Sequence, residues 1–156
     1  QAHCPTGALD RDYQIDASRC LSYWSIEHRG VVPLEFWIHF RHFFYGCDIC
    51  QSVCPYNRIP GDAVKTTKLA LRSRPDLDEL DLRDIASMNQ QYYEKTFGGT
   101  PMTRAKISGL RRNAIIAMAA TNDERLDHIR ASLQNDPCEI VSGTARQIDA
   151  FRALIN

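Results

Sequence analysis

One stretch decides how this chain is organised: Gly46-Cys47-Asp48-Ile49-Cys50-Gln51-Ser52-Val53-Cys54-Pro55. Within it, two residues separate Cys47 from Cys50, three separate Cys50 from Cys54, and a proline follows directly. Cysteines at such close spacing are typical of proteins that hold an iron–sulfur cluster or zinc. A second cysteine–proline pair, Cys4-Pro5, stands near the start of the chain.

The positions of these prolines predict iron–sulfur chemistry. Bacterial two-cluster ferredoxins carry the pattern C-x2-C-x2-C-x3-C-P, in which the cysteine before proline ligates the other cluster. By this rule four cysteines ligate one complete [4Fe–4S] cluster: Cys4, Cys20, Cys47 and Cys50. Cys54 crosses to a second cluster, whose other ligands are absent from the sequence. The start of the first motif would lie upstream of Gln1, so we expect the chain to be cut from a longer protein.

Other interpretations of the cysteines remain open. They could be buried free thiols, or the C-x2-C pair could bind zinc with His39 or His42 completing the site. A zinc site, however, does not require the proline that follows Cys4 and Cys54. The two histidines also suit an ordinary aromatic-rich segment over residues 36–44. Cys138 stands alone, and we interpret it as structural.

The composition is that of a water-soluble globular protein. The 156 residues carry 19 basic and 19 acidic side chains, and 44% of them are hydrophobic. This is the balance of a soluble globular protein with no general attraction to nucleic acid, so any such contact must come from a local patch. The most apolar stretch, residues 36–45, is interrupted by His39, Arg41 and His42, so we expect no membrane partner. No secretion signal is visible, and we expect a cytoplasmic monomer.

The sequence divides near residue 60, where Ile59-Pro60-Gly61-Asp62 is typical of a turn or linker. We predict a truncated ferredoxin-type iron–sulfur region over residues 1–60 and a helical tail over residues 61–156. Apolar residues at helical spacing predict short helices over about residues 80–88, 92–97, 103–119 and 124–134, and a last helix from about Gly143. Thr103 is the predicted N-cap of the third. Successive short helices suggest HEAT-like repeats, so the predicted fold class is mainly α, α+β at most.

Several of these segments together resemble epoxyqueuosine reductase in order and spacing. They read CPTGA over residues 4–8, RCLSYWSIEHRG over residues 19–30 and GCDICQSVCPYN over residues 46–57. The likeness continues in FGGTPMTR over residues 97–104 and GLRRNAIIA over residues 109–117, which resemble the opening of the HEAT-like tail of that family. It covers about residues 3–120 and weakens afterwards.

The resemblance implies an oxidoreductase that reduces epoxyqueuosine in tRNA to queuosine, with cobalamin and two [4Fe–4S] clusters as cofactors. In that family the cobalamin-binding domain and the proposed proton donor lie upstream of the matched segment. We therefore expect the chain alone to be inactive. Its expected partners are the missing N-terminal cobalamin domain and a tRNA anticodon stem-loop that carries epoxyqueuosine.

The resemblance also suggests residues for cofactor and substrate. Because the clusters of that family pass electrons to cobalt, residues beside the cluster ligands are expected to line the corrin, and Ser22 and Asp48 are the candidates. Ser25 and Arg29 continue the same segment and are expected to face the tRNA, although the family more often shows threonine at the position of Ser25.

A basic stretch in the tail is the other candidate for tRNA contact. No acidic residue stands between Thr100 and Ala120, whereas four basic residues do: Arg104, Lys106, Arg111 and Arg112. Positive charge near a helix start suits phosphate contact. A solvated helix face without a partner is the alternative interpretation.

Other functions compete with this one. A free-standing iron–sulfur electron carrier with a helical partner-binding tail would start with Met and contain the upstream C-x2-C-x2 portion. A zinc-stabilised adaptor with HEAT helices would be distinguished by metal analysis. Reductive dehalogenases share the cobalamin and cluster chemistry, but the stretch over residues 109–117 argues against them.

Overall fold

The computed structural model describes residues 1–57, 77 and 79–155. Within these residues the chain forms helices and no strand, which confirms the mainly α fold class. Seven α-helices lie wholly within the described residues: α1 (Ile49–Ser52), α2 (Leu82–Ser87), α3 (Gln90–Phe97), α4 (Lys106–Ala120), α5 (Arg125–Gln134), α6 (Glu139–Arg146) and α7 (Ile148–Ile155). Short 3-10 helices cover Ala17–Arg19, Leu34–Arg41, Pro55–Asn57 and Pro101–Ala105, and a π-helical turn covers Tyr23–Glu27.

Side-chain caps define where several helices begin. Asp81 accepts a hydrogen bond from the backbone N–H of Arg83 at the start of α2, and Asn89 accepts one at the start of α3. Both residues satisfy N–H groups that have no partner within the helix. Helix α4 begins without a side-chain cap, so the predicted cap at Thr103 is wrong. Thr100 instead caps the 3-10 helix that precedes α4.

The end of the chain also differs from the prediction. A single last helix was expected from about Gly143, but two helices, α6 and α7, are present and separate at Gln147. Each contributes an apolar face to the core, since Val141 and Ala145 of α6 and Ile148 and Phe151 of α7 are buried. The alternation of buried and exposed positions therefore continues across the break, which hides it in the sequence.

Helix α4 is the centre of the fold. It packs against α2, α6 and the 3-10 helix Leu34–Arg41, and residues 114–120 are all buried. Each of α4 to α6 also packs against the helix that follows it along the chain, in keeping with the predicted HEAT-like succession. No helix within the described residues is long and apolar enough to cross a membrane.

One hydrophobic core joins the cysteine-bearing region to the tail. Leu21, Trp37 and Phe40 from the first region belong to the same buried cluster as the residues of α4. The ring centroids of Trp37 and of Phe151 in α7 lie 5.2 Å apart. The predicted boundary near residue 60 falls outside the described residues and stays a prediction.

Candidate metal centre

Four cysteine thiols line one cavity of about 280 Å³. They come from three separate segments: Cys4 near the start, Cys20 after the first 3-10 helix, and Cys47 and Cys50 around the start of α1. Cys54 is not among the lining residues. It lies partly buried after α1, with Val53 and Tyr56 exposed beside it. The structure thus groups the four cysteines that the sequence assigns to one cluster and leaves the fifth apart.

Two glycines shape the backbone beside these cysteines. Gly7 has a φ of +64°, and a Cβ at this position would lie 2.7 Å from Nη2 of Arg19. The same arginine donates from Nε to the carbonyl of Thr6 at 3.0 Å, which ties the Cys4 loop to the Cys20 segment. Gly46, directly before Cys47, has a φ of +74°. Glycine adopts this left-handed conformation without the strain that a side chain would add.

The surroundings of Cys4 favour its thiolate. Burial by itself would raise the pKa of this thiol, but hydrogen bonds from Thr6, Ala8 and Leu9 outweigh it and hold the pKa below the ordinary value. The backbone N–H of Ala8 donates to Sγ of Cys4 at 3.3 Å. Because the thiolate is the form that binds a metal, this loop prepares Cys4 as a ligand.

The pKa of Cys47 is shifted in the opposite direction to that of Cys4. Burial raises the pKa of its thiol, and the negative charges of Cys50, Cys20 and Cys4 raise it further. Four thiolates around one cavity therefore repel one another and need a positive group between them. Within the described residues, no group of three or more His, Cys, Asp or Glu side chains is placed to hold a metal ion. The four cysteines that line the cavity are nevertheless the donor type that iron–sulfur clusters use.

The two predicted cofactor-binding residues also line the thiol cavity. The hydroxyl of Ser22 donates to the carbonyl of Cys47 at 3.3 Å, and Asp48 is exposed at the start of α1. They are brought together beside the thiols, and their contact with a corrin stays a prediction.

Ser25 does not face the solvent, so its predicted contact with tRNA is wrong. Its side chain is fully buried, and its hydroxyl donates to the carbonyl of Leu21 and accepts from the backbone N–H of Gly46. A hydroxyl enclosed in this way cannot reach a nucleic acid.

Arg112 is likewise wrong as a phosphate contact. It is fully buried, and its guanidinium donates to the carbonyls of Trp24, His28 and Gly30 at 2.7–2.8 Å. Burial lowers the pKa of Arg112 to about 10, so that the group stays charged at neutral pH. All its polar atoms serve the fold, because a buried charge must be hydrogen-bonded.

Arg111 also departs from the expected role. Its side chain is 14% exposed and pairs with Asp136 at 2.5 Å, while Nε donates to the carbonyl of Ala86. Because so little of its side chain is exposed, unlike that of Arg104, Arg111 is not a candidate for phosphate contact.

The remaining predicted basic residues are all exposed, and two of them are in direct contact. Arg29 donates from Nη2 to the carbonyl of Arg104 at 2.7 Å, although the two residues are 75 positions apart in the sequence. Arg104 also pairs with Glu27 at 2.5 Å, and its side chain is 70% exposed. Lys106 is exposed at the start of α4. We call Arg29, Arg104 and Lys106 the basic surface.

The two histidines of the zinc interpretation lie elsewhere. His39 and His42 line a different cavity, together with Pro5 and Ile49, and neither lines the thiol cavity. Burial lowers the pKa of His39, which is therefore neutral at neutral pH. Cys138 precedes α6 and packs against the hydrophobic core.

The sequence interpretation missed one residue that supports the site. Asn113 is fully buried and donates from Nδ2 to the carbonyl of Ser25 at 2.7 Å. A polar residue among the apolar positions of α4 was the available signal, since a buried amide requires a partner.

Comparison with known proteins agrees with this geometry. The family of 4Fe-4S double cluster binding domains matches residues 1–57. The chain is 39% identical over 115 residues to the epoxyqueuosine reductase of Vibrio cholerae, covering 74% of this chain and 30% of the relative. It is 36% identical over 110 residues to that of Cellulophaga algicola, covering 70% of this chain and 35% of the relative.

The solved structures that resemble this chain are also epoxyqueuosine reductases. An epoxyqueuosine reductase crystallised with a tRNA-Tyr epoxyqueuosine-modified stem loop superposes with a TM-score of 0.80 and 27% identity, over 96% of this chain and 39% of that one. The resemblance to epoxyqueuosine reductase is confirmed. The reductase of Streptococcus thermophilus gives a TM-score of 0.74 and 32% identity, over 94% of this chain and 38% of that one. The chain spans about a third of the length of the curated reductases it matches.

Proposed function

We propose that this chain is the electron-transfer and tRNA-docking part of an epoxyqueuosine reductase, which reduces epoxyqueuosine in tRNA to queuosine. One [4Fe–4S] cluster is held by Cys4, Cys20, Cys47 and Cys50. Cys54 ligates a second cluster, whose other ligands belong to the part of the relatives that this chain does not span. Cobalamin is bound by that same part, so the chain by itself lacks reductase activity.

The observation that carries the proposal is the shared cavity of the four thiols. Residues far apart in sequence, Cys4 and Cys50, line the same space, as the crossing rule for paired ferredoxin motifs requires. A bound [4Fe–4S] cluster supplies one-electron transfer. The chain contributes four cysteine thiols that line one cavity, a loop that lowers the pKa of Cys4, and a largely apolar wall that includes Leu9, Ile15 and Leu21.

The residues next to the ligands suit a neighbouring cofactor. Ser22 and Asp48 each stand beside a ligand cysteine and line the same cavity. Electron transfer requires donor and acceptor to be close, so the side of the cluster lined by these two residues is our candidate for contact with cobalamin. Asp48 is exposed and therefore free to meet a partner there.

The basic surface is our candidate for the tRNA. Arg29, Arg104 and Lys106 are exposed, and the bond from Arg29 to the Arg104 carbonyl holds two of them together. Such side chains bind phosphates through charge and release of counterions, without reading bases. The related reductase solved with a tRNA stem loop superposes on 96% of this chain, tail included, which favours this function over a free-standing electron carrier.

Metal analysis of anaerobically purified chain tests the cluster. We expect about four iron atoms per chain and the broad absorption of an iron–sulfur cluster, which an anaerobic chelator removes. Stoichiometric zinc with no such absorption would contradict the proposal and favour the zinc-stabilised adaptor.

A salt titration tests the tRNA interaction separately. Replacing Arg104 and Lys106 by alanine should weaken binding to a tRNA anticodon stem-loop. The slope of log affinity against log salt should also fall by about 0.7–0.9 for each phosphate that the variant no longer binds. Arg152→Ala is a matched control, because Arg152 is also an ion-paired arginine but lies in α7. Equal affinities and slopes in all three proteins would mean that the basic surface is an ordinary solvated face.

A further inference from the structure

One buried hydroxyl connects the two cysteine segments that face each other across the thiol cavity. Ser25 donates from Oγ to the carbonyl of Leu21 at 2.9 Å and accepts at 3.0 Å from the N–H of Gly46. Leu21 directly follows Cys20, and Gly46 directly precedes Cys47. The separation of these two cysteines is therefore determined in part by a single side chain that hydrogen-bonds to the residue next to each of them and to neither thiol.

Helix α4 holds the same segment from the other side. Asn113 donates to the carbonyl of Ser25, and Arg112 donates to the carbonyls of Trp24, His28 and Gly30. Nε and Nη2 of Arg112 also donate to Oδ1 of Asn113, which fixes the two side chains against each other. We call Ser25, Arg112 and Asn113 the buried polar bridge, since all three are fully buried.

The backbone of the Ser25 segment explains why this bridge is needed. Residues Tyr23–Glu27 form a single π-helical turn, closed by the bond from the N–H of His28 to the carbonyl of Tyr23 at 3.0 Å. A turn this short leaves the carbonyls at its end without helical partners. The side chains of Arg112 and Asn113 supply those partners, so this irregular turn is held in place by the tail.

We propose that the buried polar bridge positions the cysteine ligands, by fixing the distance between Cys20 and Cys47 and by anchoring both to α4. The inference rests on the proposed function, in that these cysteines ligate the cluster. Groups that orient a metal ligand without binding the metal contribute to metal affinity, and their mutation typically weakens it. Ser25, Arg112 and Asn113 are positioning residues, because none of them lines the thiol cavity.

Removing one hydroxyl tests this inference in the full chain with its cluster loaded anaerobically. In Ser25→Ala, which loses both hydrogen bonds of the hydroxyl, we expect iron release to a chelator to become about three- to tenfold faster, the effect expected from losing the bond from Gly46 that links the two cysteine segments. We also expect a changed electron paramagnetic resonance spectrum of the reduced cluster. Ser25→Thr keeps the hydroxyl and should restore both properties towards those of the parent chain.

Ser142→Ala is the matched control. Ser142 is 4% exposed and donates to the carbonyl four residues earlier, that of Cys138, as Ser25 does to Leu21. It lies in α6, and its replacement should lower stability while leaving the spectrum and the iron release unchanged. Equal iron release and identical spectra in Ser25→Ala and Ser142→Ala would overturn the inference.

A second variant covers the case in which Ser25→Ala does not fold. Asn113→Asp has nearly the same volume but loses the Nδ2 donor to the Ser25 carbonyl, and we expect it to alter the same spectrum and release rate. A parental spectrum and rate in a folded Asn113→Asp would overturn the inference. If the parent chain holds no cluster, the proposed function fails with it, whereas a loaded parent with unaffected variants refutes the positioning role alone.

Discussion

Cys47 and Cys54 lie seven positions apart in the sequence, yet their surroundings differ. Cys47 lines the thiol cavity, and the charges of three other cysteines add to the effect of burial on its pKa. Cys54 stands outside the cavity among exposed residues. The two cysteines should therefore differ in their contribution to iron binding by this chain.

We expect Cys47→Ser to abolish iron binding and Cys54→Ser to leave the iron content nearly unchanged, because Cys54 has no other ligands to share a cluster with in this chain. Iron analysis after anaerobic reconstitution measures both. Cys138→Ser is the control for removal of a thiol away from the cavity. Equal iron loss in Cys47→Ser and Cys54→Ser would show that the ligands are wrongly assigned.

Arg104 and Arg112, like the two cysteines, are residues of one type in different surroundings. One is largely exposed and paired with Glu27, while the other is enclosed by backbone carbonyls. Burial, and not residue type, separates a candidate for phosphate contact from a structural arginine.

We expect Arg112→Ala to lower the free energy of unfolding by about 3–5 kcal/mol, since it leaves several buried carbonyls without a donor. Arg104→Ala should change it little, because exposed ion pairs contribute little to stability. Urea unfolding followed by circular dichroism measures both. A similar decrease in the two variants would contradict the structural role assigned to Arg112.

At the scale of elements, the ends of helices join one another through charged side chains. Asp81 caps α2 and pairs with Arg125 of α5 at 2.6 Å, and Arg125 also pairs with Asp123. Two hydrogen bonds hold the pKa of Asp81 below its ordinary value. The one from the Arg83 N–H has the larger effect, and the one from the Arg125 side chain has the smaller. This carboxylate therefore links two helices and also starts one of them.

The lowered pKa of Asp81 predicts how its contribution depends on pH. A carboxyl whose pKa is lowered by folding stabilises the protein above the pKa of the unfolded state, about 3.9, and loses this effect as the pH falls through the folded-state pKa. We expect Asp81→Ala to cost about 1 kcal/mol at neutral pH and less at pH 3, which is below the pKa of the unfolded carboxyl. Urea unfolding at the two pH values, with Asp84→Ala of the same helix as control, measures this. A cost that stays constant with pH would show that the charge of Asp81 is not involved.

At the scale of the whole molecule, a single core unites regions that the sequence divides. Trp37 of the 3-10 helix Leu34–Arg41 is fully buried against Phe151 of α7. Arg41 of the same element donates to the carbonyl of Ala120 at the end of α4. The iron–sulfur region and the tail thus stabilise each other within the described residues.

We expect the chain to unfold in one cooperative transition, because the two regions share buried contacts. Tryptophan fluorescence, which reports on Trp24 and Trp37, and helical circular dichroism, which is dominated by the tail, should give the same midpoint. Removing the iron should lower that midpoint, since a group that binds only the folded chain stabilises it. Two separate midpoints would instead support independent domains divided near residue 60.

The sequence alone determined the chemistry of the site and the helical character of the tail. The spacing of Cys47 and Cys50 and the prolines after Cys4 and Cys54 are local patterns, so they predicted an iron–sulfur set and the separation of Cys54. Helical periodicity predicted α2 to α5 for the same reason. The break at Gln147 escaped prediction because the apolar faces of α6 and α7 follow one another without interruption.

Only the tertiary structure decided which polar residues face the solvent. Arg111 and Arg112 are neighbours on one helix, and no local pattern indicates that Asp136 and the carbonyls around Trp24 will enclose them. The burial of Ser25 depends in the same way on Gly46, which approaches from 21 positions away. A side chain becomes buried when segments that are distant in the sequence pack against it and exclude water. The spacing of residues along the sequence does not show which distant segments will do so.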